Sequence, residues 1–200
     1  MVVANCQRSC RIRVALAQLS VQTKRMTKKP KMAYVALGAN LGDSALMLRR
    51  AVAEIAAGPL GQSVASSLWR TEPVDCPPGS SPFLNAALGI WPKPDTTPES
   101  LLNDLLAIET RLGRTRSGLT NSPRVIDLDL IAFGDETRHT SELTLPHPLA
   151  HERAFVLAPL AEIAPELVLP GQLCSVADLL NLIGQQGVSK VEPLIHFNDR

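Results

Sequence analysis

Apolar positions along the chain fall into short runs and helical stripes, separated by glycine- and proline-rich breaks. Ala33 to Gly38 is a short apolar run closed by a glycine and predicts a strand. The turn-rich stretch Gly38 to Asp43 follows, and Asp43 or Ser44 can cap a helix over 45–57 that Gly58-Pro59 stops. Val64 to Arg70 and Phe83 to Trp91 predict two strands paired with each other. Between them, Glu72 to Pro82 holds four prolines in eleven residues, which excludes both helix and ladder. Thr97 or Pro98 opens a helix to about Leu112, with apolar residues at 101, 102, 105, 106, 108 and 112. Gly113 to Pro123 is a second long polar loop. Val125 to Phe133 predicts a strong strand, turned by Gly134-Asp135-Glu136. A short strand over 143–145, a helix over 152–162, a helix from Ser175 to Ile183 and an edge strand over 190–196 complete the chain.

The order β α β β α β, followed by extra elements, predicts an α+β fold. Its form is a ferredoxin-like βαββαβ sandwich with a mostly antiparallel sheet and helices on its faces. No internal repeat interrupts it. The two long loops exceed what a compact domain needs, and such loops often carry function.

Charge divides the chain more sharply than hydropathy does. Residues 1–31 hold eight Lys and Arg and no Asp or Glu, whereas 32–200 hold twelve basic and nineteen acidic residues, a balance of −7. We therefore expect a disordered basic arm over 1–31 and a single globular domain over 32–200. An acidic domain argues against a nucleic-acid partner. No apolar run approaches the ~18 residues that span a membrane, so no membrane partner is expected. The arm reads either as an Arg-rich transit-type signal or as residues upstream of a true start at Met26 or Met32, and the sequence leaves both open. Cys6, Cys10, Cys76 and Cys174 show no zinc-ligand spacing and are read as free thiols of a reducing, cytoplasmic compartment.

The sharpest chemical signal is Pro123-Arg124-Val125-Ile126-Asp127-Leu128-Asp129-Leu130. Residues two apart on a strand share a face, with Cα atoms ~6.6 Å apart. Asp127 and Asp129 therefore point one way, and Leu128 and Leu130 point into the core. Two adjacent carboxylates repel unless a cation sits between them, and Mg²⁺ is the hard cation that takes few carboxylates plus phosphate oxygens. Two such ions could clamp a triphosphate. The plainer alternative is a solvated strand face. Arg111, Arg114, Arg116 and Arg124 lie nearby, with no acid between Glu109 and Asp127. In an acidic domain that cluster suggests a phosphate grip, although Arg111 is equally well placed to serve a helix C-terminus. His147 and His151 are four apart, but Pro148 separates them and no His-Glu-x-x-His is present. A His and an Arg (Arg153) beside a phosphate suit that segment better than zinc does.

These motifs together resemble a known family. Ala36-Leu37-Gly38-Ala39-Asn40-Leu41-Gly42, Arg70-Thr71-Glu72-Pro73, Phe83-Leu84-Asn85-Ala86, Pro123 to Asp129 and Pro146-His147-Pro148 occur in the order seen in 6-hydroxymethyl-7,8-dihydropterin pyrophosphokinases. The resemblance spans about 33–172. It implies an ATP-dependent diphosphotransferase of folate biosynthesis, a monomer that takes ATP as co-substrate with two Mg²⁺ ions. Asp127 and Asp129 are implied to bind the metals and, with Arg114 and Arg116, to act in catalysis. Glu109, Arg114, Arg116, Arg124, His147 and Arg153 are implied to bind ATP. Phe83 and Phe155 are implied to sandwich the pterin, whose polar edges are read by Thr71, Glu72, Val74 and Asn85. Phe83 and Asn85 share a strand face, which favours the site over the core for both. Asn121 and Ser117 stand where some members carry Trp and Lys, which bears on loop closure rather than on the reaction. With the chain ending at Arg200, no fused second enzyme is expected. The rival class is a non-enzymatic nucleotide-binding module on the same scaffold, which would need no aromatic sandwich.

Overall fold

The computed structural model describes residues 31–58, 60–73, 79, 81–115 and 123–195. Every element among them belongs to one unit, Met32–Arg200. The βαββαβ core is strand β1 (Ala33–Ala39), helix α1 (Ser44–Ala57), strands β2 (Gln62–Ala65), β3 (Ser67–Thr71) and β4 (Phe83–Trp91), helix α2 (Pro98–Arg111) and strand β5 (Asp127–Phe133). A small hairpin follows, β6 (Arg138–His139) with β7 (Thr144–Leu145), then a 3₁₀ turn Ala150–Glu152. Helices α3 (Ala154–Ile163) and α4 (Val176–Ile183) and strand β8 (Val188–Pro193) come last. All pairings in the main sheet are antiparallel, in the order β5-β1-β4-β3-β8, with β2 also on β4. This is the expected ferredoxin-like arrangement, extended at one edge by β8. Among the described residues no helix is long and apolar enough to cross a membrane.

The helix starts follow local chemistry. Asp43 accepts the Leu46 N–H at the start of α1. Thr97 and Ser100 form a reciprocal capping box on α2, with Pro98 in its first turn. Ser175 accepts the Asp178 N–H on α4. The third helix departs from expectation. The stretch predicted as a helix from 152 opens as the 3₁₀ turn, and α3 proper begins at Ala154 with Pro159 inside it.

Several strand expectations also need correcting. The single strand over 64–70 is two strands, because a bulge at Ser66 breaks it. Ala65 pairs with Leu88 but Trp69 pairs with Asn85, so four steps on one side meet three on the other. Ser66 itself is held by Ala87, donating its N–H to the Ala87 carbonyl and accepting the Ala87 N–H on Oγ. The strong strand begins at Asp127 rather than Val125 and carries an irregularity opposite Tyr34/Val35. The short strand over 143–145 pairs with a partner, Arg138–His139, that the sequence did not reveal. The edge strand lies at 188–193, two residues before the predicted start.

Two apolar layers flank the sheet. Val35, Leu37, Leu128 and Leu130 pack with Leu48, Val52 and Ile55 of α1 and Leu101, Leu105 and Ile108 of α2. On the other face Ala87 and Ile131 pack with Val156, Leu157 and Leu160 of α3 and Leu179 and Leu180 of α4. Strand alternation therefore sends Asp127 and Asp129 to the second face, opposite the Leu128 and Leu130 that fill the first core.

Candidate active site

The site occupies the end of the second face that α3 leaves uncovered. Register places Asp127 of β5 beside Gly38 of β1, Gly38 beside Asn85 of β4, and Asp129 beside Ala36. Phe83 pairs with Thr71 of β3. Paired residues in an antiparallel sheet face the same way, so Asp127, Gly38, Asn85, Phe83 and Thr71 share one surface. Helix α3 brings Phe155, with Arg153 as its N-cap residue, to the same place. The result is a cleft of ≈540 Å³ lined by Thr71, Phe83, Asn85, Arg124, Asp127, Asp129, Arg153 and Phe155.

Gly38 makes this surface possible. A Cβ there would stand 3.1 Å from Asn85 Oδ1, so glycine leaves the amide its place. Asn85 is buried and donates from Nδ2 to Thr71 Oγ1 at 2.8 Å, which leaves Oδ1 oriented on the Gly38 side. Asn40, also buried, works at the other end. Its Oδ1 accepts the Arg124 N–H at 2.8 Å, its own N–H donates to the Arg124 carbonyl at 3.1 Å, and its Nδ2 reaches the Ser81 carbonyl. Arg124 is thereby pinned to β1.

Charge in the cleft is unevenly satisfied. Asp127 receives both Arg114 and Arg124, one guanidinium on each carboxylate oxygen. Arg114 also pairs with Glu109, a buried carboxylate that accepts the Leu128 N–H at 2.7 Å. Burial raises the Glu109 pKa above the ordinary carboxylate value, against the pull of the Leu128 N–H and Arg114. Burial works against the charge on Arg114, but Asp127 and Glu109 outweigh it and raise its pKa. Asp129 has no hydrogen-bond partner among the described residues. Burial, then the negative charges of Asp127 and Glu109, push its pKa up to about 6 despite Arg114 and Arg124.

The aromatics and the histidine carry complementary detail. The Arg124 guanidinium lies 5.8 Å from the Phe83 ring centroid, and that of Arg153 lies 5.5 Å from Phe155. Each aromatic is thus coupled to a cation by its ring quadrupole. Arg124 Nε is buried and has no hydrogen-bond partner among the described residues. His147 Nδ1 accepts the Leu149 N–H at 3.3 Å, which leaves the proton of the neutral ring on Nε2. Burial, then the Arg153 charge, lowers the His147 pKa and favours that neutral form.

Residues 34–165 match the profile of the 7,8-dihydro-6-hydroxymethylpterin-pyrophosphokinase (HPPK) family. The chain belongs to this family. It is similar to the 2-amino-4-hydroxy-6-hydroxymethyldihydropteridine pyrophosphokinase of Methylorubrum extorquens AM1, 44% identical over 161 residues, which cover 80% of this chain and 98% of that one. The protein of the same name from Bacillus subtilis is 42% identical over 137 residues, covering 68% and 80%. Among solved structures, wild-type Plasmodium falciparum HPPK-DHPS with SDX-DHP superposes with a TM-score of 0.64 at 14% identity, over 82% of this chain and 48% of that one. At that identity the likeness bears on the fold alone. The chain spans about half the length of those solved HPPK-DHPS chains.

Against the HPPK-based expectations, the cleft brings together Thr71, Glu72, Phe83, Asn85, Arg124, Asp127, Asp129, Arg153 and Phe155. Glu109, Arg114 and His147 stand behind that lining. Glu109 and Arg114 reach Asp127 through the ion pairs described, and His147 feels the charges of Arg153 and Asp127. Val74 and Arg116 lie outside the described residues, as do Ser117 and Asn121. Arg111 pairs with Glu54 at 2.9 Å, which is a helix-end contact and not part of the cleft. His151 Nε2 faces Glu152 at 3.2 Å. Among the described residues no group of three or more His, Cys, Asp or Glu side chains is placed to hold a metal. Sequence reasoning missed Gly38 and Asn40 as parts of the site. Their signal was the polar Asn40 directly after a strand, with a glycine two residues before it.

Proposed function

We propose that the chain is a monomeric cytoplasmic enzyme of folate biosynthesis. It transfers the terminal diphosphate of ATP to the hydroxymethyl oxygen of 6-hydroxymethyl-7,8-dihydropterin and releases AMP. The observation that carries this reading is the meeting of two carboxylates with two aromatics in one cleft: Asp127 and Asp129 facing Phe83 and Phe155. A phosphate site alone needs no aromatic pair, and a heterocycle site alone needs no adjacent acids.

In this reading Phe83 and Phe155 hold the flat pterin between them, at roughly 1–3 kcal/mol per stacked face. Asn85, fixed by Thr71, pairs with the polar edge, together with Thr71, Glu72 and Val74. Asp127 and Asp129 suit two Mg²⁺ ions, because they supply oxygen ligands only and Asp129 has no hydrogen-bond partner among the described residues. Bound there, the ions would neutralise phosphate charge. Arg124 and Arg153 of the lining, with Arg114 and Glu109 behind it, serve the phosphates, a role the resemblance extends to Arg116; Arg124 Nε, buried and without a hydrogen-bond partner among the described residues, suits a phosphate oxygen. Neutral His147 adds an Nε2 donor without further charge. The hydroxymethyl oxygen attacks the β-phosphorus, an O–P bond forms, and the bridging bond to the α-phosphate breaks. AMP leaves with the electron pair, and the hydroxyl proton passes to a neighbouring carboxylate or to water. The rate then comes from positioning and charge neutralisation.

The test is separation of the products. Given Mg²⁺, ATP and the pterin, the protein should form AMP and pterin diphosphate in equal amounts. Asp127→Ala or Asp129→Ala should abolish both, and so should a chelator. ADP as the stoichiometric product, or full activity in both variants, would overturn the reading.

A further inference from the structure

The cleft has a wall that the family motifs do not supply. Ile183 at the end of α4, Gly184, Gln186 and Gly187 in the turn after it and Val188 at the start of β8 line it, all beyond the matched stretch 34–165. The turn is fixed at both ends. Gly184 closes α4 by donating its N–H to the Leu180 carbonyl, Val188 pairs with Thr71, and the Glu72 N–H donates to the Gly187 carbonyl at 3.1 Å. Behind it β8 is tied down twice. Lys190 Nζ lies 2.9 Å from Glu162 Oε1, on a carboxylate that also accepts Ser67 Oγ and Trp69 Nε1. Arg49 pairs with Glu192 at 2.6 Å and donates to the Leu194 carbonyl at 3.2 Å. The turn is therefore a fixed wall standing against Thr71 and Glu72.

Its composition is specific. Gly184 and Gly187 have φ of +79° and +71°, conformations that side chains rarely adopt. Much of the wall is accordingly low, bare backbone, with room beside it for a bicyclic ring. Gln186 is the one lining residue of this turn with a polar side chain. Its amide offers two donors and an acceptor, which matches a heterocycle whose edge mixes amino, amide N–H and carbonyl groups.

We propose that Gln186 is a further binding residue of the cleft, its amide pairing with the polar edge of the heterocycle next to the Thr71–Glu72 wall. This rests on the reading of the cleft as a pterin site. Gln186 is exposed, so its replacement should leave folding alone.

Gln186→Ala and Gln186→Leu are compared with the parent protein. Calorimetry gives the affinity for a non-hydrolysable ATP analogue with Mg²⁺, then for 6-hydroxymethyl-7,8-dihydropterin added to that complex. Steady-state rates and ligand-free melting temperatures complete the set. Both variants should weaken pterin binding and raise its KM about three- to tenfold, the factor that one net hydrogen bond gives. The ATP-analogue affinity, kcat and melting temperature should stay at parental values. Parental pterin affinity in both variants, from a parent that binds pterin and releases AMP, overturns this inference and leaves the function standing. A parent that binds no pterin overturns the function and this inference with it. Parental affinity in Gln186→Leu alone means that bulk and not the amide matters. Equal losses for both ligands, or a lowered melting temperature, make Gln186 part of the scaffold; each of these also overturns the proposal.

Discussion

Asp129 carries a charge that the fold does not satisfy, and removing that charge should stabilise the metal-free protein. Its pKa is raised from 3.8 to about 6 by burial and then by Asp127 and Glu109. The folded state therefore holds its proton more tightly than the unfolded chain, and stability falls as pH rises from about 4 to about 6. Roughly two pH units correspond to ~3 kcal/mol once both states are ionised. Asp129→Asn carries no such penalty. In the presence of a chelator it should exceed the parent by ~3 kcal/mol at pH 8, but by only ~1 kcal/mol at pH 4.5, where the parental carboxyl is largely protonated in the fold. For a domain of this size 1 kcal/mol moves Tm by about 2–4 °C, so the gain at pH 8 is about 6–12 °C. Thermal unfolding followed by circular dichroism at both pH values would measure it. At pH 8, Mg²⁺ with an ATP analogue at about a thousandfold excess over Kd should reverse the order, since only the parent then gains ligand stabilisation, ~4.1 kcal/mol, which exceeds the gap. A variant less stable than the parent at pH 8 without metal, or a gap that does not shrink towards pH 4.5, would refute the reasoning.

Three further outcomes are expected. Phe83→Ala or Phe155→Ala should weaken pterin binding while ATP-analogue affinity stays nearly intact, as titration of each ligand would show; equal damage to both would mark the rings as core. A chain starting at Met32 should keep the parental kcat, which steady-state kinetics can check, because the acid-free arm precedes the first strand. Glu162→Ala should lower unfolding free energy by about 1–3 kcal/mol in urea titrations, since it strands the buried Ser67 and removes the anchor of Trp69 and Lys190.

The path from sequence to site was short where periodicity and chemistry agreed. Alternation in Asp127 to Leu130 fixed which side chains face the cleft, because a strand has no other way to bury Leu128 and Leu130 together. Phe83 and Asn85 were legible for the same reason. The break at Ser66 was not, because a bulge is decided by pairing across strands, and Val64 to Arg70 reads as one unbroken run. The partner strand Arg138–His139 is too short and too polar to carry a pattern. The turn Gly184 to Gly187 looks like any connection, and only the tertiary pairing of Val188 with Thr71 brings it to the cleft. The link from Arg114 to both Glu109 and Asp127 depends on how α2 meets β5, which no local signal encodes.

Local rules are broken chiefly at one end of one sheet face, and the breaks are complementary. Asp129 is a half-buried carboxylate with no hydrogen-bond partner among the described residues, and the charges of Arg114 and Arg124 do not offset its burial. A few residues away Arg124 Nε is a buried donor without an acceptor among the described residues. Both residues line the same cleft, yet Arg124 places another nitrogen on Asp127, which also pairs with Arg114. A sequence selected for stability alone would have joined Arg124 to Asp129 or replaced both by apolar residues, as the opposite face does with Leu128 and Leu130. The arrangement makes sense if a third party bears both signs. A metal–triphosphate does, presenting cations to the carboxylate and anionic oxygens to the guanidinium. The same logic explains Gly38, which gives up side-chain packing in mid-strand so that Asn85 keeps its orientation. Stability is surrendered where a ligand restores it, and the pH dependence expected for Asp129→Asn is the measurable trace of that exchange.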